Sequence, residues 1–359
     1  MARRHKSGIQ KRSWLLLLFL IVMLAIYQIP LPYFYSQPGE ATPLHGMITV
    51  AEGEGEEGQF HLTTIRQQRA TIPLYIWAQF SEYRKIVPAE LYLQEGETDE
   101  EYFHRQEMLM DSAQEASKMA AYDRAGYSYD VEYQGIRVTK VVDEMDASEH
   151  VQEGDLIKAV DGETVETLEE MNGLLEEKTA GDVVELTIGR NSETLTESVT
   201  IDTFPADIDP ERGSGLGLLY PFTQRNIEFH PDVTIDAGSI GGPSAGLMFA
   251  LEIYNQLVEE DLTSGAKIAG TGSIDEDGQV GRIGGIEQKI VAADNAGIDV
   301  FFAPDDDAAS PSNYEAAVET AEDIGTDMVI VPVKEFDDAV TYLENHLDEK
   351  TAVKQGLVS

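Results

Sequence analysis

Ile240-Gly-Gly-Pro-Ser-Ala-Gly-Leu-Met-Phe-Ala-Leu-Glu-Ile-Tyr-Asn-Gln-Leu257 carries a chain break, a small-residue turn and the start of a helix, in that order. Gly241, Gly242 and Pro243 end the preceding strand and place Ser244 at the tip of the helix that follows. Leu247, Leu251, Tyr254 and Val258 recur at i, i+4, i+7 and i+11, which predicts one buried stripe. A serine at such a tip has two readings: it caps the helix with its side-chain oxygen, or it presents a hydroxyl for nucleophilic chemistry. Phosphate binding is not a third, because a Walker A loop needs a lysine after its last glycine and none lies between Gly241 and Asn255. Gly242-Pro-Ser-Ala-Gly246 also fits the G-x-S-x-G elbow pattern, which requires a late histidine, and His346 is the only one downstream.

A second segment lies just C-terminal to the first. Ala269-Gly-Thr-Gly-Ser-Ile-Asp-Glu-Asp-Gly-Gln-Val-Gly-Arg-Ile-Gly-Gly-Ile-Glu-Gln-Lys289 reads as strand, turn at Asp277-Gly278, strand, and a tight Gly284-Gly285 turn. A helix then carries Lys289, Ile290, Ala293 and Ala296, and Gly297 separates it from the strand Val300–Ala303. The glycines of Gly281–Gly285 lack dinucleotide-binding spacing. Lys289 is either a solvated helix lysine or, with Ile290 and Val291 beside it, a partly buried amine. The second reading gives a serine what it lacks, a base that takes its proton during attack. Lysine does this only when neutral, and desolvation by Ile283, Ile286 and Ile290 would lower its pKa toward the working range.

The two segments together resemble the proteolytic domain of Lon-type serine peptidases. Gly242-Pro-Ser-Ala-Gly246 is similar to that family's nucleophile motif, and Thr271-Gly…Gly278…Val280…Ile283-Gly-Gly-Ile-Glu-Gln-Lys289 to its lysine motif. Met110-Asp-Ser-Ala-Gln-Glu-Ala116 resembles a helix that precedes the serine in the family. The resemblance implies Ser244 as nucleophile, Lys289 as general base, and Thr271 as a hydrogen-bond partner of one of them. Two positions depart from the pattern, Gly241 and Ser273, where the family often has acidic residues. Between the Met110 helix and Ser244, Glu153-Gly-Asp-Leu-Ile…Val160-Asp-Gly resembles the PDZ family, whose members add a peptide strand to a sheet edge. The approach to Gly135-Ile136 is the candidate carboxylate-binding loop. The whole order resembles the membrane-anchored, PDZ-containing Lon-like peptidases of Gram-positive bacteria; Lon-like domains often form rings, which leaves a homo-oligomer open.

Charge supports an exported location and excludes one class of partner. The chain of 359 residues has 25 Lys+Arg against 66 Asp+Glu, a net charge of −41, and no cysteine. That balance excludes nucleic acid, which needs a concentrated basic surface. Arg3, Arg4, Lys6, Lys11 and Arg12 precede the first acidic residue, Glu40, and Trp14 to Tyr27 carries no charge. The run is long enough, continued through Tyr33, to cross about 30 Å of hydrocarbon. The basic cluster then keeps the N-terminus cytoplasmic, and Tyr33, Phe34 and Tyr35 read as an interfacial belt. A cleaved signal peptide is the competing reading. The seven histidines show no H-E-x-x-H, and Asp305-Asp-Asp307 lacks calcium-loop spacing, so neither metal nor cofactor is called for.

These readings predict an α+β chain: a Lon-type proteolytic domain with an inserted PDZ domain, preceded by one transmembrane helix. The expected divisions are 1–12 cytoplasmic, 13–35 anchor, 36–125 first protease part, 126–208 PDZ, 209–348 catalytic part and 349–359 tail. The expected function is an ATP-independent, single-pass membrane serine endopeptidase whose PDZ unit selects exported peptide or protein substrates. A membrane-tethered PDZ adaptor without catalysis is the alternative.

Overall fold

A computed structural model of the chain describes residues 14–15, 17–18, 29–53, 55, 57–94, 97–205, 213–306 and 310–354, with side chains through 345. Two compact units emerge, one from residues 1–128 with 231–359, the other from Tyr129–His230.

The first unit is built on a six-stranded mixed sheet in the order Val329–Val333, Val300–Pro304, Lys267–Gly270, Gln59–Thr71, Pro30–Pro43, Lys85–Pro88. The first four strands run parallel, and the last two join antiparallel. Every residue of Val300–Pro304 is buried, as a central parallel strand covered on both faces requires. Three helices carry the candidate site residues or pack beside them. The long helix Asp99–Ala125 begins at a Thr98/Glu101 capping box and ends at left-handed Gly126. It buries Met110 together with Ala113, Ala116, Ser117 and Ala120, four small residues that let the helix Gly246–Leu257 pack close. That second helix is enclosed on all sides rather than along one stripe: Leu247 to Leu251 are each 0% exposed. The third, Ile286–Ala296, lies between left-handed Gly285 and Gly297 and packs Ile286, Ile290 and Ala293 against Phe301 and Ala303.

The sheet corrects part of the anchor assignment. Residues 30–35, expected within the membrane segment, form the start of strand Pro30–Pro43, which is paired on both sides. Phe34 and Tyr35 are 1% and 2% exposed, and Phe34 meets Tyr92 and Tyr102 at ring distances of 5.6 and 5.4 Å. These aromatics are core residues; an apolar run next to a candidate anchor conceals a strand when read by hydropathy alone. Most of the remaining anchor residues, 13 and 16 and 19–28 among them, lie outside the described residues. Among the described residues no helix is long and apolar enough to cross a membrane.

The second unit is a sheet in the order Glu193–Thr200, Val183–Arg190, Leu156–Val160, Ser128–Arg137, Phe222–His230, with the helix Leu168–Leu175 opened by a Thr167/Glu170 capping box. Its core gathers Ile136, Ile157, Val160, Val184, Leu186, Ile188 and Val199. The unit extends beyond the expected boundary at 208, because the returning strand Phe222–His230 pairs beside Ser128–Arg137. A Tyr129–Phe229 ring contact of 5.4 Å and an Arg137 Nε to Gln224 Oε1 distance of 3.3 Å fix that pair as antiparallel. Asp155, the acidic residue of the Gly-Asp motif, is 2% exposed and accepts both Arg190 Nε and Nη2, at 2.8 and 2.6 Å. Its work is structural. Asp155→Ala would strip the guanidinium of its carboxylate, leaving it the His150 carbonyl at 2.8 Å, and weaken this unit by about 3 kcal/mol; hydrogen exchange of strands 156–160 and 183–190 should accelerate, while that of Val300–Pro304 stays as it was.

Candidate active site

Three glycine- and proline-induced features put Ser244 where it is. Gly242 sits at φ 89°, in the region that side chains avoid, and turns the chain into a single 3-10 turn, Pro243–Ala245. Its N–H donates to the Gln106 carbonyl of the long helix at 2.8 Å. Ser244 lies in that turn, half-buried, and the helix proper starts after it at Gly246. The residue in the capping position is Ala245, and no side chain caps the helix. The capping reading of Ser244 is thereby set aside, and its hydroxyl is left for another partner. Behind the turn the Gly246 carbonyl accepts the buried Ser117 hydroxyl at 2.8 Å. A side chain at Gly246 would come within 2.8 Å of Ile274, so the close approach of the turn to the hairpin 273–281 requires glycine here.

The partner is Lys289, one turn into the helix Ile286–Ala296. Its Nζ lies 2.9 Å from Ser244 Oγ and donates to the Thr63 carbonyl at 2.8 Å. Thr63 is the first residue of its strand beyond the end of the parallel neighbour Lys267–Gly270, whose Gly270 stands opposite Leu62. Lys289 is 3% exposed, and burial alone pushes its amine down from 10.5 to about 7. Thr271, fully buried, donates its hydroxyl to the Ser244 carbonyl at 2.9 Å, and the Gly272 N–H reaches the same oxygen at 3.0 Å. Of the two partners expected for Thr271, the serine is the one it holds, through its backbone.

Residues outside this cluster take other roles. His230 is more than half exposed and faces Asp130 at 3.2 Å, in the second unit. Asp305 accepts the Ser312 hydroxyl at 3.0 Å and Asp306 faces Arg282 at 3.4 Å, while Asp307 lies outside the described residues. In the second unit, Ile136 is fully buried and paired with Ile157, and its strand is flanked on the other side by Phe222–His230. The expected carboxylate-binding approach at Gly135-Ile136 is thus a strand interior with neighbours on both sides. Sequence reading missed Thr63, Gln106 and Ser117. Two of these act through backbone carbonyls, which leave no trace in residue type.

A serine hydroxyl beside a buried amine whose pKa is lowered to about 7, on an α+β scaffold, has the layout of a Ser-Lys hydrolytic site. Comparison with known proteins agrees with that class. Residues 219–345 match the Lon protease (S16) C-terminal proteolytic domain, and residues 123–201 match the PDZ domain. The chain carries both kinds of domain. The Lon protease of Endomicrobium trichonymphae is 30% identical over 129 residues, which is 36% of this chain and 15% of that protein. The Lon protease of Metamycoplasma arthritidis is 30% identical over 155 residues, or 43% of this chain and 17% of that one. The chain thus spans less than a fifth of the length of these curated relatives. Among solved structures, the PDZ domain of the SdrC-like protein from Listeria monocytogenes is 25% identical, covers 25% of this chain and 90% of its own, and has a TM-score of 0.23.

The burial of Lys289 has a measurable consequence for stability. The folded amine releases its proton near pH 7, the unfolded one near 10.5. Between those values the unfolded chain binds more protons, so raising the pH favours the folded state. Relative to Lys289→Met, the parent protein should gain about 1.36 kcal/mol per pH unit from about pH 7 to pH 10, and nothing below. Denaturation midpoints of the two proteins measured across that range test this; parallel curves would show that the amine keeps its charge.

Proposed function

We propose that the chain is an ATP-independent, membrane-anchored serine endopeptidase in which Ser244 is the nucleophile and Lys289 the general base. The observation that carries the reading is the 2.9 Å approach of a buried Nζ to Ser244 Oγ. The neutral amine accepts the hydroxyl proton as Oγ bonds to the scissile carbonyl carbon. The resulting ammonium returns that proton to the leaving amine nitrogen when the C–N bond breaks, and an acyl-serine remains. Water then repeats the sequence, giving its proton to Nζ and its oxygen to the acyl carbon, and Ser244 is regenerated.

The developing oxyanion needs donors on the serine turn, at the positive end of the helix Gly246–Leu257. The Gly242 N–H is already engaged by Gln106 and Pro243 has none, which leaves the Ser244 amide as the donor nearest the nucleophile. Thr271 and Gly272 hold the Ser244 carbonyl from behind and keep the turn from rotating away. No Walker A pattern occurs in the sequence, which supports cleavage of flexible or unfolded segments without a motor. The basic start and uncharged run Trp14–Tyr27 support a catalytic unit outside the cytoplasmic membrane. The PDZ domain supports selection of peptide or protein substrates.

Cleavage of casein by the full chain decides between peptidase and adaptor. Ser244→Ala should reduce turnover to background, and Lys289→Met should lower kcat/KM by at least about 10²–10⁴-fold while thermal unfolding stays cooperative. Residual turnover equal to that of the parent in either variant would overturn the assignment.

The pH profile of the parent carries a separate signature. Its kcat/KM should rise through an acid limb centred near the amine's pKa of about 7. A limb displaced to pH 9 or above would mean a lysine that stays charged and a different base.

A further inference from the structure

The helix Ile72–Ala78 has an inverted surface. Its inner side, Leu74 and Ala78, packs on Tyr35, Ala70 and Ile86 of the sheet. The outer side is not polar: Tyr75, Ile76 and Trp77 are 39%, 55% and 53% exposed, and Phe80 just beyond is 77% exposed. Four adjacent apolar and aromatic side chains turned outward form the kind of patch a soluble surface avoids. Its electrostatic setting is equally unusual. From Gln59 to Ser81 there is no acidic residue, in a chain with 66 of them. The Arg84 guanidinium lies 4.6 Å from the Trp77 ring centroid, a cation held over the patch.

Position in the fold says what covers this face. Tyr75 stacks on Tyr33 at 5.6 Å, and Tyr33 lies at the beginning of strand Pro30–Pro43. The uncharged run Trp14–Tyr27 ends six residues earlier. Six residues span at most about 20 Å when fully extended. A segment embedded in a bilayer up to Tyr27 therefore holds Tyr33 within about 20 Å of the hydrocarbon edge, with Tyr75 of the patch 5.6 Å beyond it, near the headgroup layer. Trp and Tyr favour that layer, because their rings are apolar and their N–H and O–H groups stay hydrated. Arg84, held over the Trp77 ring, suits anionic headgroups.

We propose that Tyr75, Ile76, Trp77 and Phe80 rest in the headgroup region of a phospholipid bilayer and fix how the catalytic unit stands on it. The proposal depends on the membrane-anchored reading of the chain, and the test separates the two. The chain has two tryptophans, Trp14 and Trp77, so Trp14→Phe and Trp77→Phe each leave a single fluorophore in the full chain. Both variants are reconstituted in vesicles of phosphatidylcholine and phosphatidylglycerol that contain lipids spin-labelled near the headgroup. In Trp14→Phe, Trp77 should lose about half its emission to the labelled lipid and little to aqueous iodide. Quenching by iodide alone would overturn the proposal, as would protection from both quenchers, which would mean that a second copy of the chain covers the patch. In Trp77→Phe, Trp14 reports the anchor independently. Quenching of Trp14 by lipid without quenching of Trp77 leaves the anchor standing and removes the docking; no lipid quenching of either removes both.

Discussion

An ammonium group cannot serve as a base, and an amine in water at neutral pH is almost wholly ammonium. The proposed role of Lys289 therefore depends on keeping water away from its nitrogen while leaving the adjacent hydroxyl reachable. The fold does this with asymmetric burial. Lys289 enters from the lysine helix, whose Ile286 and Ile290 belong to the same apolar cluster as Phe301 and Ala303 of the central strands. Ser244 comes from the opposite direction, on a turn that is only half-buried. Moving the amine from 10.5 to about 7 corresponds to a penalty on the charged form of order 5 kcal/mol. The rest of the domain must hold that arrangement rigid, since any opening that admitted water would recharge the amine.

The protein's overall charge opposes this, because 66 acidic residues favour a protonated lysine. Distance and solvent decide the contest. Screening confines the acidic field to roughly 8 Å at physiological salt. Glu287, the nearest carboxylate along the helix, is 38% exposed and faces Lys85 at 3.4 Å, so its field is both hydrated and partly neutralised. The contact Nζ makes on the sheet side is a neutral carbonyl, that of Thr63. A single backbone oxygen orients the amine without giving it the Coulombic stabilisation that a carboxylate would give the charged form. Desolvation wins for that reason.

The legibility of the sequence obeys the same physics. Ser244 and Lys289 can be singled out in the sequence because both have reactive side chains in distinctive glycine frames, and the structure places Oγ and Nζ 2.9 Å apart. The turn that frees Ser244 from capping was not, since a 3-10 turn and a helix start look alike in residue pattern. Thr63 and Gln106 contribute carbonyls that any residue would supply. Leu247, Leu251 and Tyr254 were rightly read as buried, but the residues between them are buried as well, because long helix, sheet and C-terminal helix surround the segment. Phe34 and Tyr35 were misplaced in the membrane: hydropathy reports that a side chain leaves water, and not whether lipid or protein receives it. The strand Phe222–His230, expected in the catalytic part, pairs in the sheet of the second unit with a partner some ninety residues earlier, a pairing beyond the reach of local pattern.

The position of the second unit in the chain bears on its role. The chain leaves the first unit after Ser128 and returns at Pro231, and the two points are tied within the first unit. Tyr122, near the end of the long helix, donates its buried hydroxyl to the Pro231 carbonyl, and Val233–Ile235 pairs directly with Ile48–Val50. An excursion whose ends are pinned together can be inserted without disturbing the host, as domain insertions generally require. Thr63, Gln106, Ser117, Thr271, Gly272 and Lys289, the groups that set the geometry of Ser244, all belong to the host. With Ser128–Arg137 flanked by Leu156–Val160 and by the chain's own returning strand, Phe222–His230, a peptide that added to that edge would have to displace the returning strand, which leads directly to the pinned junction.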